Sequence, residues 1–154
     1  MKKKMQQEEQ IAYRIVQVKT QKISISEPDE LDFKKLKISG KVSMSISAID
    51  DSKTEIIFDV ISNFYNPDTE EELIEHIGRT KYIVTNLHVS AEKDSVDIPD
   101  ELMVTLYSLA HTHARALLAS DVQNTIYKDK AFLPVVNPKE ILKKTGTAPG
   151  QHTD

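Results

Sequence analysis

Leu36-Lys37-Ile38-Ser39-Gly40-Lys41-Val42-Ser43-Met44-Ser45-Ile46-Ser47-Ala48 is the stretch that decides the fold. Leu36, Ile38, Val42, Met44, Ile46 and Ala48 share one parity, while Lys37, Ser39, Lys41, Ser43, Ser45 and Ser47 share the other. Successive side chains of a strand point to opposite faces, so this alternation predicts one long strand with an apolar and a wet face. Asp50-Asp51-Ser52-Lys53 is a polar turn, and residues 54–65 return as a second strand in an antiparallel hairpin. Apolar residues of that second strand fall on both parities, which predicts contact on both of its faces.

Working outward, residues 12–26 read as an earlier strand whose apolar parity switches. Tyr13 and Ile15 are odd, Val16 and Val18 even, Ile23 and Ile25 odd again. A bulge or bend near Thr20 explains the switch. Glu27-Pro28-Asp29 ends this strand, and Asn66-Pro67-Asp68 breaks the one after the hairpin. The run Glu70–His76 reads as an acidic connection with a helical turn, followed by a strand over 79–90.

From Ile98 the period becomes helical. Pro99, Asp100 and Glu101 make a favourable start, and the helix is predicted to run to about residue 125. Its stripe is Ile98, Leu102, Leu106, Leu109, His113 and Ala116, flanked by Met103, Ala110 and Leu117. An apolar linker, Leu133-Pro134-Val135-Val136, leads to Asn137-Pro138-Lys139-Glu140, an N-cap signature for a short helix at Ile141–Lys144. Strands first and helices after predict α+β: a four-stranded antiparallel sheet, one long helix and one short one. One helix leaves strand surface over, and self-association is the simplest cover for it.

Composition narrows the function. A chain of 154 residues is one ordinary domain, read as a frayed start at 1–11, a folded unit at 12–144 and a polar tail at 145–154. There is no cysteine, which excludes disulfide frameworks, Cys-based metal sites and thiol nucleophiles. The four glycines are scattered, so no phosphate-cradling loop can be written. Net charge of −4 argues against general affinity for nucleic acid. Met1-Lys2-Lys3-Lys4 is followed by polar residues rather than an apolar signal core, and no run approaches the ~20 apolar residues of a span. A cytoplasmic location, without membrane insertion, is the expectation.

Two segments resemble the SecB-like family of protein-export chaperones and their relatives. Tyr13–Pro28 carries the family's opening aromatic and its closing pattern of Ile-Ser, an aromatic or aliphatic residue, two free positions and Pro, here Ile23-Ser24-Ile25-Ser26-Glu27-Pro28. Leu133–Leu142 is similar to its Pro/Val/Asn linker into the last helix. The resemblance spans residues 12–144 and implies a homotetramer built as a dimer of dimers. It also implies an ATP-independent holdase that binds unfolded or precursor polypeptides in apolar grooves, with no cofactor, no metal and no enzymatic step. The implied peptide-binding residues are Phe58, Val60, Phe64, Tyr82, Val84, Leu133, Val135 and Val136; the last three would equally serve to pack the linker on the sheet. The implied oligomer interface is Tyr13, Ile15, Leu106, Leu109, His113, Ala116 and Leu117. The family docks its motor SecA through acidic residues on the open sheet face. Lys22 and Ser26 stand at two of those positions, and the stretch Tyr82–Thr85 has no acid for a third. This departure brings in the alternative of an adaptor dedicated to one partner, such as an antitoxin, without SecA.

Several side chains invite sharper readings. His111 and His113 are two apart on a helix, so they point away from each other and cannot share an ion within one chain. Ser108, His111 and Asp121 have the residue types of a triad without any nucleophile elbow. Arg115 is expected to pair with an acid at the sheet edge. Lys35, Lys37 and Lys41 line a wet strand face that would suit acidic clients or simply solubility.

Overall fold

A computed structural model describes residues 10–90 and 95–134; within these, residues 88–90 and 95–96 are described by backbone alone. Val135, Val136, the helix expected at Ile141–Lys144, the tail 145–154 and residues 1–9 lie outside the described residues. The chain runs β1 (Ala12–Ile25), a 3-10 turn (Phe33–Lys35), β2 (Lys37–Ala48), β3 (Lys53–Tyr65), β4 (Glu72–Thr85), a small hairpin of β5 (His88–Ser90) and β6 (Ser95–Asp97), and α1 (Asp100–Asp121). The main sheet is antiparallel, in the order β1-β4-β3-β2. This is the α+β architecture that the order of strands and helices predicted.

Register decides what each face carries, because residues directly opposite in an antiparallel pair point the same way. Val42 stands opposite Val60, Met44 opposite Phe58 and Ile46 opposite Ile56. Phe58 stands in turn opposite Thr80, and Ile56 opposite Tyr82. Even-numbered residues of β2, β3 and, from Ile74 on, β4 therefore share the face on which α1 lies. On β1 the register shifts between Ile15 and Gln17 and again between Thr20 and Lys22. Each extra residue flips the parity, so Tyr13, Ile15, Val18, Ile23 and Ile25 all reach the helix side. The parity switch in the sequence thus reports two bulges, one of them at the expected place.

Two expectations fail here for clear reasons. Residues 72–76 are strand, not a helical turn: Leu73 is the extra residue of a bulge between Phe64 and Tyr65, and both Leu73 and Ile74 are buried. The acidic residues masked that pair. The strand predicted over 79–90 is instead cut at Asn86, whose φ of 66° is left-handed. Asn tolerates that conformation. Asn86 donates its backbone N–H to Ser52 O and its side-chain amide to Gln10 O, closing the end of the sheet.

α1 starts after Pro99, with Asp100 and Glu101 at its positive end. It buries Met103, Leu106, Tyr107, Ala110, His111, Ala114 and Leu118. The buried stripe is rotated about a quarter of a turn from the predicted one. Close approach explains the rotation. A Cβ built on Gly78 would lie 3.0 Å from Ala114 Cα and Cβ, so helix and sheet meet where both residues are small. Tyr82 reaches across this contact and donates to Leu106 O at 2.6 Å. Phe58 packs edge-on to Tyr82 and tilted against Tyr107. After α1 the chain turns through Tyr127, whose hydroxyl donates to Ser26 O, and comes back to bury Ala131 and Leu133.

Candidate functional site

A helix is about 10 Å across, while sheet strands are about 4.8 Å apart, so one helix covers roughly two strands of four. α1 is centred on β4 and reaches β1 and β3 alike. The apolar rows of both edge strands continue past it. On the β2 flank, Val42, Met44 and Ile46 are half-buried and Ile38 is 44% exposed. On the β1 flank, Tyr13, Ile15, Val18 and Ile23 are exposed, Tyr13 and Ile15 by 40% and 42%. Leu102, Leu109, His113 and Ala116 lie on the side of α1 that faces this flank and are half-buried or exposed. His113 fixes the orientation, since its Nδ1 is hydrogen-bonded to Thr80 Oγ1 at 2.9 Å, and Thr80 stands opposite Val18.

The residues proposed for peptide binding fall elsewhere in this layer. Phe58, Phe64, Tyr82 and Val84 are fully buried and Val60 and Leu133 nearly so, all within the core beneath α1 and the chain that follows it. They offer no side-chain surface to a partner in this protomer. The open apolar surface is beside them, on Ile38, Val42, Met44 and Ile46. Its signal was in the sequence as the even parity of 36–48; what sequence could not give was how far the helix reaches. Of the proposed interface residues, Leu106 is fully buried in the core, Leu117 packs near Gly78, and Tyr13, Ile15, Leu109, His113 and Ala116 share the β1 flank. Val18, Ile23 and Leu102 extend that flank and were not foreseen.

The polar groups on the helix side are held in structural contacts. His76 is fully buried, and its Nε2 lies 2.9 Å from Asp121 Oδ2, which also accepts from Thr20 Oγ1. This cluster ties the end of α1 to β1 and β4. His111 stacks edge-on to Tyr107, on the opposite side of the helix from His113. Burial holds both histidines below the ordinary imidazole range, and the Arg115 cation adds to the effect at His111. Ser108 donates to Val104 O, so Ser108, His111 and Asp121 each have separate partners. Arg115 donates Nε to Leu133 O at 3.1 Å and pins the returning chain along the helix, where an edge acid was expected. Burial, with Glu27 and Glu71 nearby, pushes the Tyr127 phenol up to about 12.

This geometry has a counterpart among known structures. The chain superposes on the SecB-like chaperone Rv1957 of Mycobacterium tuberculosis, solved in complex with a ChAD peptide from the Rv1956 HigA1 antitoxin, with a TM-score of 0.53. Identity is 10%, and the match covers 80% of this chain and 90% of the other. The fold is shared with a SecB-like chaperone. No protein-family model and no curated protein matches the chain. At this identity the likeness is one of architecture, with the sheet and long helix in common. Among the described residues, no helix is long and apolar enough to cross a membrane.

Proposed function

We propose that the chain is a polypeptide-binding module that holds unfolded or precursor segments without ATP and without a chemical step, working in the cytoplasm as a homo-oligomer. The observation that carries this reading is the apolar surface left open on both sides of α1. Val42, Met44 and Ile46 form a row beside the core, with Ile38 beyond Gly40 on the same face, long enough for an extended segment. Each apolar client side chain seated there would gain about 25 cal/mol per Å² of surface removed from water. The β1 flank, with Tyr13, Ile15, Leu109 and Ala116, is the surface assigned to a second protomer, since a long apolar edge strand left bare invites aggregation.

A second reading is favoured by one specific observation: the structural neighbour was solved with an antitoxin peptide. On that reading the same surface serves one dedicated partner. The open sheet face also fits a chain that does not use SecA, because Lys22 sits there in an ion pair with Glu75 at 2.9 Å. The two readings part in a pull-down: many unrelated clients support the holdase, one stoichiometric partner the adaptor.

The test of the shared claim is suppression of client aggregation in the absence of ATP. The chain should keep a chemically unfolded client soluble at near-stoichiometric ratio. The pair Val42→Asp and Met44→Asp should weaken protection by at least about tenfold, since charges on the row desolvate badly against apolar clients. Full protection by that variant, or none by the parent chain, would overturn the assignment.

A further inference from the structure

The face of the sheet that α1 does not cover has a charge pattern of its own. Odd-numbered residues of β2, β3 and, beyond the bulge at Leu73, β4 point there, joined by Glu72 opposite Tyr65 and from β1 by Arg14, Gln17, Lys19 and Lys22. Along its strands the face carries eight cationic side chains (Arg14, Lys19, Lys22, Lys37, Lys41, Lys53, Arg79 and Lys81) against four carboxylates (Glu55, Asp59, Glu72 and Glu75). That is a net +4 on a chain whose total is −4, so the rest of the molecule carries −8.

The carboxylates are already engaged. Asp59 accepts from Arg79 Nε and Nη2 at 2.8 and 2.9 Å, Glu55 pairs with Lys81 at 3.6 Å, Glu75 pairs with Lys22, and Glu72 accepts from Asn63. Among the described residues, Arg14, Lys19, Lys37, Lys41 and Lys53 have no side-chain ion pair with a carboxylate. Lys19 even stands directly opposite Arg79, a like-charge pairing that disfavours the isolated sheet. Between the two cationic edges lie four half-buried isoleucines in two patches, Ile61 opposite Ile77 and Ile57 diagonal to Ile83, on either side of the Asp59–Arg79 ion pair. No described helix packs on them.

We infer that this face docks an acidic polypeptide segment, whose apolar side chains seat on the four isoleucines and whose carboxylates meet Arg14, Lys19 and Lys41. Unpaired cations on both edges supply the charge complementarity. The isoleucines distinguish the occupant from nucleic acid, which would call for aromatic platforms, and Tyr65 is the face's single aromatic. The surface is on the opposite side of the sheet from the client row, so it goes beyond the proposed function and can fail without it.

The test is fluorescence anisotropy on the full chain with a labelled peptide alternating Glu and Leu, beside its Lys-and-Leu counterpart and a single-stranded oligonucleotide. The Glu-and-Leu peptide should bind more tightly than the Lys-and-Leu peptide, which has only the client row open to it, and added salt should narrow the difference. The triple variant Arg14→Glu, Lys19→Glu and Lys41→Glu should lower affinity at least about tenfold while client protection is retained. The Gln triple at the same positions should fall between, and it keeps the test decisive should the reversal variant fail to fold. Equal binding of both peptides, indifference to the Gln triple, or tighter binding of the oligonucleotide would each overturn the inference.

Discussion

Asp121 closes the end of α1 onto the sheet by accepting from Thr20 and meeting the buried imidazole of His76. The cost of losing it is dominated by the groups left behind, since a buried polar atom without a partner forfeits its hydration. Asp121→Ala is expected to destabilise the chain by about 1–3 kcal/mol, read from the midpoint of urea unfolding; an unchanged midpoint would deny the cluster its structural role. A second effect at this scale is pH dependence. His111 and His113 have folded-state values depressed by burial, with Arg115 assisting at His111. The unfolded chain therefore binds protons first as pH falls below about 6.5. Stability is full above that value and declines as pH drops towards the folded-state values. Unfolding curves at about pH 7.5 and about pH 5.5 should show the loss, and His111→Gln should reduce it.

At the scale of elements, the fold depends on how closely α1 can approach β4. Gly78 and Ala114 set that distance, with no room for a Cβ between them. Gly78→Val should force helix and sheet apart, costing on the order of 1–3 kcal/mol by thermal unfolding, more than the same change at Gly40, whose added Cβ would meet only Ile61 O at 3.6 Å. Much of this layer was legible in the sequence. Alternation at 36–48 and the parity switch in β1 led directly to the sheet, the hairpin and a bulge. Local pattern did not reveal the strand hidden behind Glu70–Glu72, nor the break at Asn86. It also misjudged the buried side of α1 by about a quarter turn. Leu102, Leu109 and Ala116 are as apolar as the residues that won. The choice fell to Ala114 and Ala110 because only a small-residue face can sit on Gly78. The candidate surface was less legible for the same reason: Phe58 and Tyr82 look like anchors for a client until the helix that covers them is in position.

For the whole molecule, the sheet separates two surfaces of different chemistry. The helix side is apolar on both flanks of α1; the open side is cationic around two isoleucine patches. In a chain with 39% hydrophobic residues, Tyr13, Ile15, Val16, Val18 and Ile23 stay exposed along one edge strand of the protomer, an apolar row open to a partner. Assembly through that edge, and capture of unfolded polypeptide on the β2 flank, would cover both apolar rows without any cofactor. The most direct measurement is solution mass by light scattering across a size-exclusion peak, without ATP, alone and with an unfolded client. The account predicts an assembly of two or four protomers of 17.4 kDa whose peak gains mass when the client is added. A 17.4 kDa species that stays alone while the client aggregates would contradict it.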